Sequence, residues 1–246
     1  MNQIREYHSM LPMLGCLTLL ATMLAVMMFL CLMPVMVYEV MLAALKRLHL
    51  NAEFATLSVL GIFAGSFINL PIRRIERSVV QPQLVVGPTG LGVWSHRFRR
   101  ERHESLLAVN VGGCLIPLAL AAWQVPYLFR SGMGTTLILL LVTAANILVC
   151  NRVARPVPGI GIVMPGFISP LVAVLLTWLL TLPLGEVGEV NRAPIAFVAG
   201  VTGPLLGADL LHLRDMLKTP AAVLSIGGAG TFDGIVLSGV LAALLA

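Results

Sequence analysis

Residues Leu11 to Val37 read LPMLGCLTLLATMLAVMMFLCLMPVMV, a stretch without a single charged side chain. A helix needs about 20 apolar residues to cross a hydrocarbon core of about 30 Å, and this run exceeds that. It is also longer than the roughly 7–15-residue apolar core of a cleavable leader, and no small-x-small exit follows it. The stretch therefore reads as a membrane helix, and the rest of the chain agrees with it. Of 246 residues, 58% are hydrophobic and only 11% are charged; the mean hydropathy is +0.95. A soluble domain carries roughly 25% charged residues, so this chain cannot cover a water-facing surface. A soluble enzyme, a disordered tail and a nucleic-acid-binding domain are excluded on that ground.

Apolar runs and their punctuation predict an all-α polytopic membrane protein of about seven helices, a single integral membrane domain over residues 1–246. After Leu11–Val37 the expected spans are Phe54–Ile72, Ser105–Phe129, Thr135–Asn151, Leu171–Leu184, Ala193–Leu213 and Ala221–Ala246. The fourth and fifth could instead be re-entrant. Asn51 is placed to cap the second helix. Residues 73–104 form the one long polar connection, with a small hairpin expected around Gln81–Trp94 and a dense charge run, HRFRRERHE, at its end. The four cysteines, Cys16, Cys31, Cys114 and Cys150, all fall in apolar runs without C-x-x-C spacing and read as small buried side chains.

Lys and Arg sort to the cytoplasmic side of a membrane protein. With seven spans, the N-terminus and the even-numbered connections share one face. That face carries Arg5, seven basic residues between 73 and 102, Arg152, Arg155, Arg214 and Lys218, twelve in all. The other carries Lys46, Arg47, Arg130 and Arg192. The asymmetry predicts a plasma (inner) membrane protein with a cytoplasmic N-terminus, a cytoplasmic 73–104 loop and an outer C-terminus. The charge run lacks an aromatic platform and reads as an anchor at anionic headgroups rather than a nucleic-acid patch.

Only three aspartates occur, Asp209, Asp215 and Asp233. Asp215 lies among His212, Arg214 and Lys218 in a connection. Asp209 and Asp233 lie in apolar surroundings on consecutive expected spans, and a carboxylate at membrane depth costs at least ~2.5–3.5 kcal/mol, which makes it a functional candidate by default. Counted from a turn at Lys218–Thr219, they sit roughly 15 Å and 21 Å into antiparallel helices. Two neighbouring carboxylates share a proton. One, ionised, can take a proton from water while the other, protonated, donates to a carbonyl oxygen, which is the chemistry of aspartic peptide hydrolysis. The glycines around Asp233 would open the backbone to an extended substrate strand, or serve as close helix-packing points.

Four stretches in order, NVGGCLIP, RPVPGIGIVMP, GADLLHLRD and SIGGAGTFDGI, resemble a family of prokaryotic multi-pass membrane proteins known as a domain of unknown function. That likeness covers most of the chain and implies no activity. Over about fifty residues the chain also resembles the GxGD intramembrane aspartyl proteases: presenilin, signal peptide peptidase and the prepilin peptidases. Gly230-Thr231-Phe232-Asp233 keeps the glycine three before the aspartate, with Phe232 in place of the second glycine. Asp209-Leu210-Leu211 resembles the other catalytic helix, with Ala208 in place of presenilin's tyrosine; the Pro-Ala-Leu element has no counterpart. The resemblance implies Asp209 and Asp233 as the catalytic pair.

Further candidates for the wall of such a site are Gly227, Gly228, Gly230, Thr231 and Gly234 near the second aspartate, and Asn110, Gly112 and Gly113 at a break in the third span. Pro158 and Pro165 mark a discontinuous segment, which membranes tolerate only where protein buries it or it lines a cavity. Broken helices around carboxylates are equally how transporters build cation and proton sites. The two functional expectations are thus an intramembrane aspartyl-protease-like hydrolase acting on a transmembrane peptide, and a small ion- or proton-coupled transporter binding a cation at the same residues. No H-E-x-x-H, P-loop or G-x-G-x-x-G after a strand is present, so no metal or cofactor is expected, nor a nucleic-acid partner. The lipid bilayer is the expected environment.

Overall fold

The computed structural model describes residues 2–86, 93–157, 161–217 and 223–246, with side chains described from residue 17 onward except those of 76–104. The chain divides into two compact units, Met1–Ala43 and Ala44–Ala246. The first is a single helix, α1 (Asn2–Leu45 in full), whose segment Leu17–Leu45 is long and apolar enough to cross a membrane.

The second unit is predominantly helical. Its helices are α2 (Ala52–Gly65), α3 (Ile116–Arg130), α4 (Met133–Val153), α5 (Ile168–Thr181), α6 (Glu186–Thr202), the short α7 (Leu213–Met216) and α8 (Gly234–Leu245). Strands β1 (Asn69–Val86) and β2 (Val93–Asn110) pair antiparallel, β3 (Arg155–Val157) pairs with β4 (Gly161–Val163), and β5 (Val223–Ile226) adds to β2 in parallel. Three stretches here reach spanning length: Val111–Arg130, Met133–Val153 and Glu186–Leu210. Together with Leu17–Leu45 the described residues contain four such helices rather than seven. The protein is thus a polytopic helical membrane protein.

Two expected spans, the second and the seventh, are shortened, each for a local reason. The second ends at Gly65, and from Asn69 the chain runs as strand β1. Fourteen helical residues rise only ~21 Å, so α2 alone falls short of a core of about 30 Å. The fifth ends where expected and starts three residues earlier: α5 is followed by one tight turn at Leu182–Leu184, where Pro183 interrupts the backbone ladder. The seventh shrinks to α8, because Gly227 and Gly230 take left-handed φ values of 70° and 62° that no helix contains. The expected third span also starts later: Ser105–Asn110 belongs to β2, and a wide π-helical turn, Val111–Leu115, leads into α3. The polar connection expected as a loop with a small hairpin is one long hairpin, paired from Asn69↔Asn110 to Val86↔Val93. As expected, the Asn51 side chain caps α2, accepting from Phe54 N–H at 2.8 Å.

The helices of this unit are cross-linked by buried polar groups, the usual adhesive between helices where the surroundings offer no hydrophobic drive. Asn146 on α4 donates from Nδ2 to Ser169 Oγ on α5 (3.0 Å) and to the Ala199 carbonyl on α6 (2.7 Å). Ser238 on α8 meets the same Ser169 at 2.6 Å. All three side chains are fully buried. At the far end of α8, Arg47 Nη1 donates to the Ala243 carbonyl (3.1 Å) and to that of Leu244, capping the helix where its carbonyls have no partner. Arg47→Ala is expected to lower stability by about 1 kcal/mol, read as a reduced melting temperature in detergent, with Lys46→Ala as the unaffected control.

Candidate functional site

Asp209 reaches its position through an irregularity in α6. Pro204 has no N–H to donate, and the helix widens into π turns over Gly203–Leu210, ending with Leu211 N–H bonded to the Leu206 carbonyl at 3.0 Å. Gly203 and Gly207 lie one turn apart against α4; a Cβ on Gly207 would stand 2.8 Å from Cys150 Cβ, and one on Gly203 would strike the Asn146 side chain. The close approach is sealed by Asn151 Nδ2 donating to the Gly207 carbonyl at 3.2 Å. Asp209 sits on the last turn of this long span, near its end rather than at its middle.

Asp233 is not inside a helix but at the N-cap of α8, a correction to its expected place near the middle of a span. Its Oδ1 accepts from Ile235 N–H at 3.0 Å and its Oδ2 from Ala229 N–H at 3.2 Å, so both oxygens serve the local backbone. The two aspartates come level because α6 and α8 cross at Gly200 and Gly239, where a Cβ on Gly200 would meet Gly239 Cα at 3.1 Å. From that crossing Asp209 lies ~14 Å along α6 and Asp233 ~9 Å back along α8, a small mismatch.

Asp209 and Asp233 line one cavity of about 380 Å³. Its walls are Gly161 and Ile162 from β4, Met216 from α7, Val223, Leu224 and Ser225 from β5, and Gly227, Gly228 and Ala229. Both carboxylates are half-buried. The cavity flanks β5, which among the described residues is an edge strand: its one partner in the sheet is β2.

The expected wall residues divide. Gly227 and Gly228 face the cavity. Gly230, Thr231, Asn110, Gly112 and Gly113 stand behind it and hold the Gly227–Asp233 segment in place. A Cβ on Gly113 would collide with the Gly227 carbonyl, and one on Gly112 would lie 2.5 Å from Ser66 N. Asn110 is fully buried; it accepts from Gly113 N–H at 2.7 Å and donates to the Ser66 carbonyl at 2.8 Å and to Asn69 Oδ1 at 3.2 Å. Thr231 meets Ser66 Oγ at 2.8 Å, and Ser225 donates to Asn69 Oδ1 at 2.6 Å. Gly234 opens α8 with nothing within 4 Å of a Cβ placed there, and Pro165 is exposed outside the cavity lining. Pro158 lies outside the described residues. Sequence reasoning missed Gly161, Ile162, Met216 and β5. The only hint was the Pro- and Gly-rich punctuation before α5, because strand pairing across more than a hundred residues leaves no local pattern. Among the described residues no cluster of three or more His, Cys, Asp or Glu side chains is placed to hold a metal ion.

Fold and site together define a multi-pass helical membrane protein with a carboxylate-lined cavity beside an open strand edge. The family described as Protein of unknown function (DUF1614) matches residues 63–245, and the chain belongs to it. No curated protein and no solved structure matches the chain. The likeness to the GxGD proteases is therefore one of motif.

Proposed function

We propose that the chain is an intramembrane hydrolase of the aspartyl-protease type, in which Asp209 and Asp233 work as a pair on a peptide drawn from a transmembrane segment. The observation that carries this reading is that both carboxylates line one cavity whose third wall is the open edge of β5. An unpaired strand edge next to a hydrocarbon core leaves backbone groups without partners, and an extended substrate strand would supply them. In the cleavage step one carboxylate takes a proton from water and the other donates to the scissile carbonyl oxygen. Water oxygen bonds to the carbonyl carbon; as the C–N bond breaks, the abstracted proton passes to the new amine and one hydroxyl proton of the tetrahedral intermediate returns to the second carboxylate, leaving a carboxylic acid and the pair as it began.

The positions of the basic residues support a plasma-membrane protein with the hairpin β1–β2, and with it the cavity, toward the cytoplasm. On that orientation Arg47, Arg130 and Arg192 mark the outer ends of the helices. Cation transport is the weaker reading. A cation would need free lone pairs on the carboxylates, whereas both Asp233 oxygens already accept from backbone N–H groups.

A peptide carrying a hydroxyl isostere of the tetrahedral intermediate tests the proposal, since such mimics bind about 10²–10⁸-fold more tightly than substrate. It should raise the melting temperature of the purified protein, and the shift should vanish in Asp209→Asn. Equal shifts in both proteins, or Asp-dependent ion flux from vesicles without isostere binding, would sink the hydrolase reading.

A further inference from the structure

A second cavity lies at the other end of this unit, away from the two aspartates. It encloses about 490 Å³ between the start of α2 and the face of α3, within the range of about 300–1,000 Å³ typical of ligand sites. Its lining is largely apolar, with Phe54, Ile116 and Leu120. Its mouth is aromatic and preformed. His49 stacks flat on Tyr127, with ring centroids 5.3 Å apart, and Trp123 tilts against the same ring at 6.1 Å. The stack cannot swing aside, because Gln124 Oε1 accepts from His49 N–H at 3.1 Å and meets His49 Nδ1 at 3.2 Å, while Trp123 Nε1 donates to the His49 carbonyl. A second groove shares Ala119, Trp123 and Tyr127 with the first and ends at Arg130. Arg130 is exposed, and among the described residues no ion pair or hydrogen bond engages its guanidinium.

Ile116 and Arg130 lie ~21 Å apart along α3, somewhat more than one leaflet of a hydrocarbon core of about 30 Å. Arg130 closes a stretch of spanning length, so it stands at headgroup level, with Trp123 and Tyr127 forming the aromatic layer usual beneath it. We propose that this groove is a binding site for one anionic glycerophospholipid, with an acyl chain in the cavity between α2 and α3 and the phosphate at Arg130. Charge complementarity selects the occupant: a guanidinium without a carboxylate partner, at the open end of an apolar groove, matches an anionic headgroup joined to a hydrocarbon tail.

The test is native mass spectrometry of the detergent-solubilised full chain titrated with phosphatidylglycerol or phosphatidylcholine of identical acyl chains. Wild type should retain one phosphatidylglycerol at about fivefold lower concentration than phosphatidylcholine. Arg130→Gln should remove the preference while leaving binding of the zwitterionic lipid unchanged. Ala119→Phe, which fills the shared wall, should remove retention of both. Equal retention of the two lipids by wild type, or a preference that survives Arg130→Gln, would overturn the proposal. Retention unchanged in Ala119→Phe would overturn the groove as its location. Melting temperatures of both variants within the wild-type range exclude misfolding as the cause.

Discussion

Asp233→Asn is expected to reduce peptide cleavage by at least about 10²–10⁴-fold while leaving the protein folded. That substitution keeps the helix cap while removing the acid. Asparagine caps a helix as well as aspartate does, so its Oδ1 keeps the bond from Ile235 N–H. It loses the bond from Ala229 N–H to Oδ2 and the ability to carry and release a proton. Asp233→Ala loses the cap as well, and its melting temperature should fall by an amount equivalent to about 1 kcal/mol. Asp209→Asn should match Asp233→Asn in activity, because the two carboxylates line one cavity and the proposed step needs both. Cleavage assays run beside thermal melts of all three variants check the set. Activity surviving in either Asn variant would remove that aspartate from the chemistry.

Gly113→Ala should be among the most damaging single-methyl changes at the described glycines. The added Cβ would run into the Gly227 carbonyl and stand 2.9 Å from the Gly227 carbonyl carbon and 3.1 Å from Gly230 Cα. All three are backbone atoms, so no side chain can rotate out of the way. Overpacking of this kind costs about 1–3 kcal/mol, occasionally more. The strain also falls on the segment that carries Asp233, so activity should drop further than stability alone explains. Gly234→Ala is the matched control. A Cβ there meets nothing within 4 Å, and alanine favours the first turn of α8. Its melting temperature should equal or exceed that of wild type. A melting temperature for Gly113→Ala equal to that of Gly234→Ala would mean that the two glycine segments are not in contact.

The membrane class and the two aspartates were legible because each depends on local composition. The charge-poor runs Leu11–Val37 and Thr135–Asn151, expected as a span and as a span or re-entrant segment, fall on the spanning-length helices Leu17–Leu45 and Met133–Val153. Asp209 and Asp233 are conspicuous in apolar surroundings. The break at Gly227–Gly230 was also visible, although its consequence, a strand followed by a helix only twelve residues long, was not. What escaped was non-local or ambiguous in period. Ser105–Asn110 continues into an apolar run, and such a run does not distinguish a strand from a buried helix. Its pairing with Val223–Ile226, from Leu106↔Val223 to Val109↔Ile226, joins residues more than a hundred positions apart. Gly161 and Ile162 reach the cavity through a three-residue strand, too short to leave a periodic trace. Asn110 marks a break in the expected third span; its bonds to Gly113, Ser66 and Asn69 make it the bracket behind the wall.

Catalysis by the paired aspartates is tested most directly by cleavage of a synthetic transmembrane peptide in ¹⁸O-labelled water by the reconstituted protein. Hydrolysis with water activated by the pair should yield two fragments, one label in the new carboxylate, and no product from Asp209→Asn or Asp233→Asn. Intact peptide with wild type across a panel of sequences, or labelled product that persists in both variants, would contradict it.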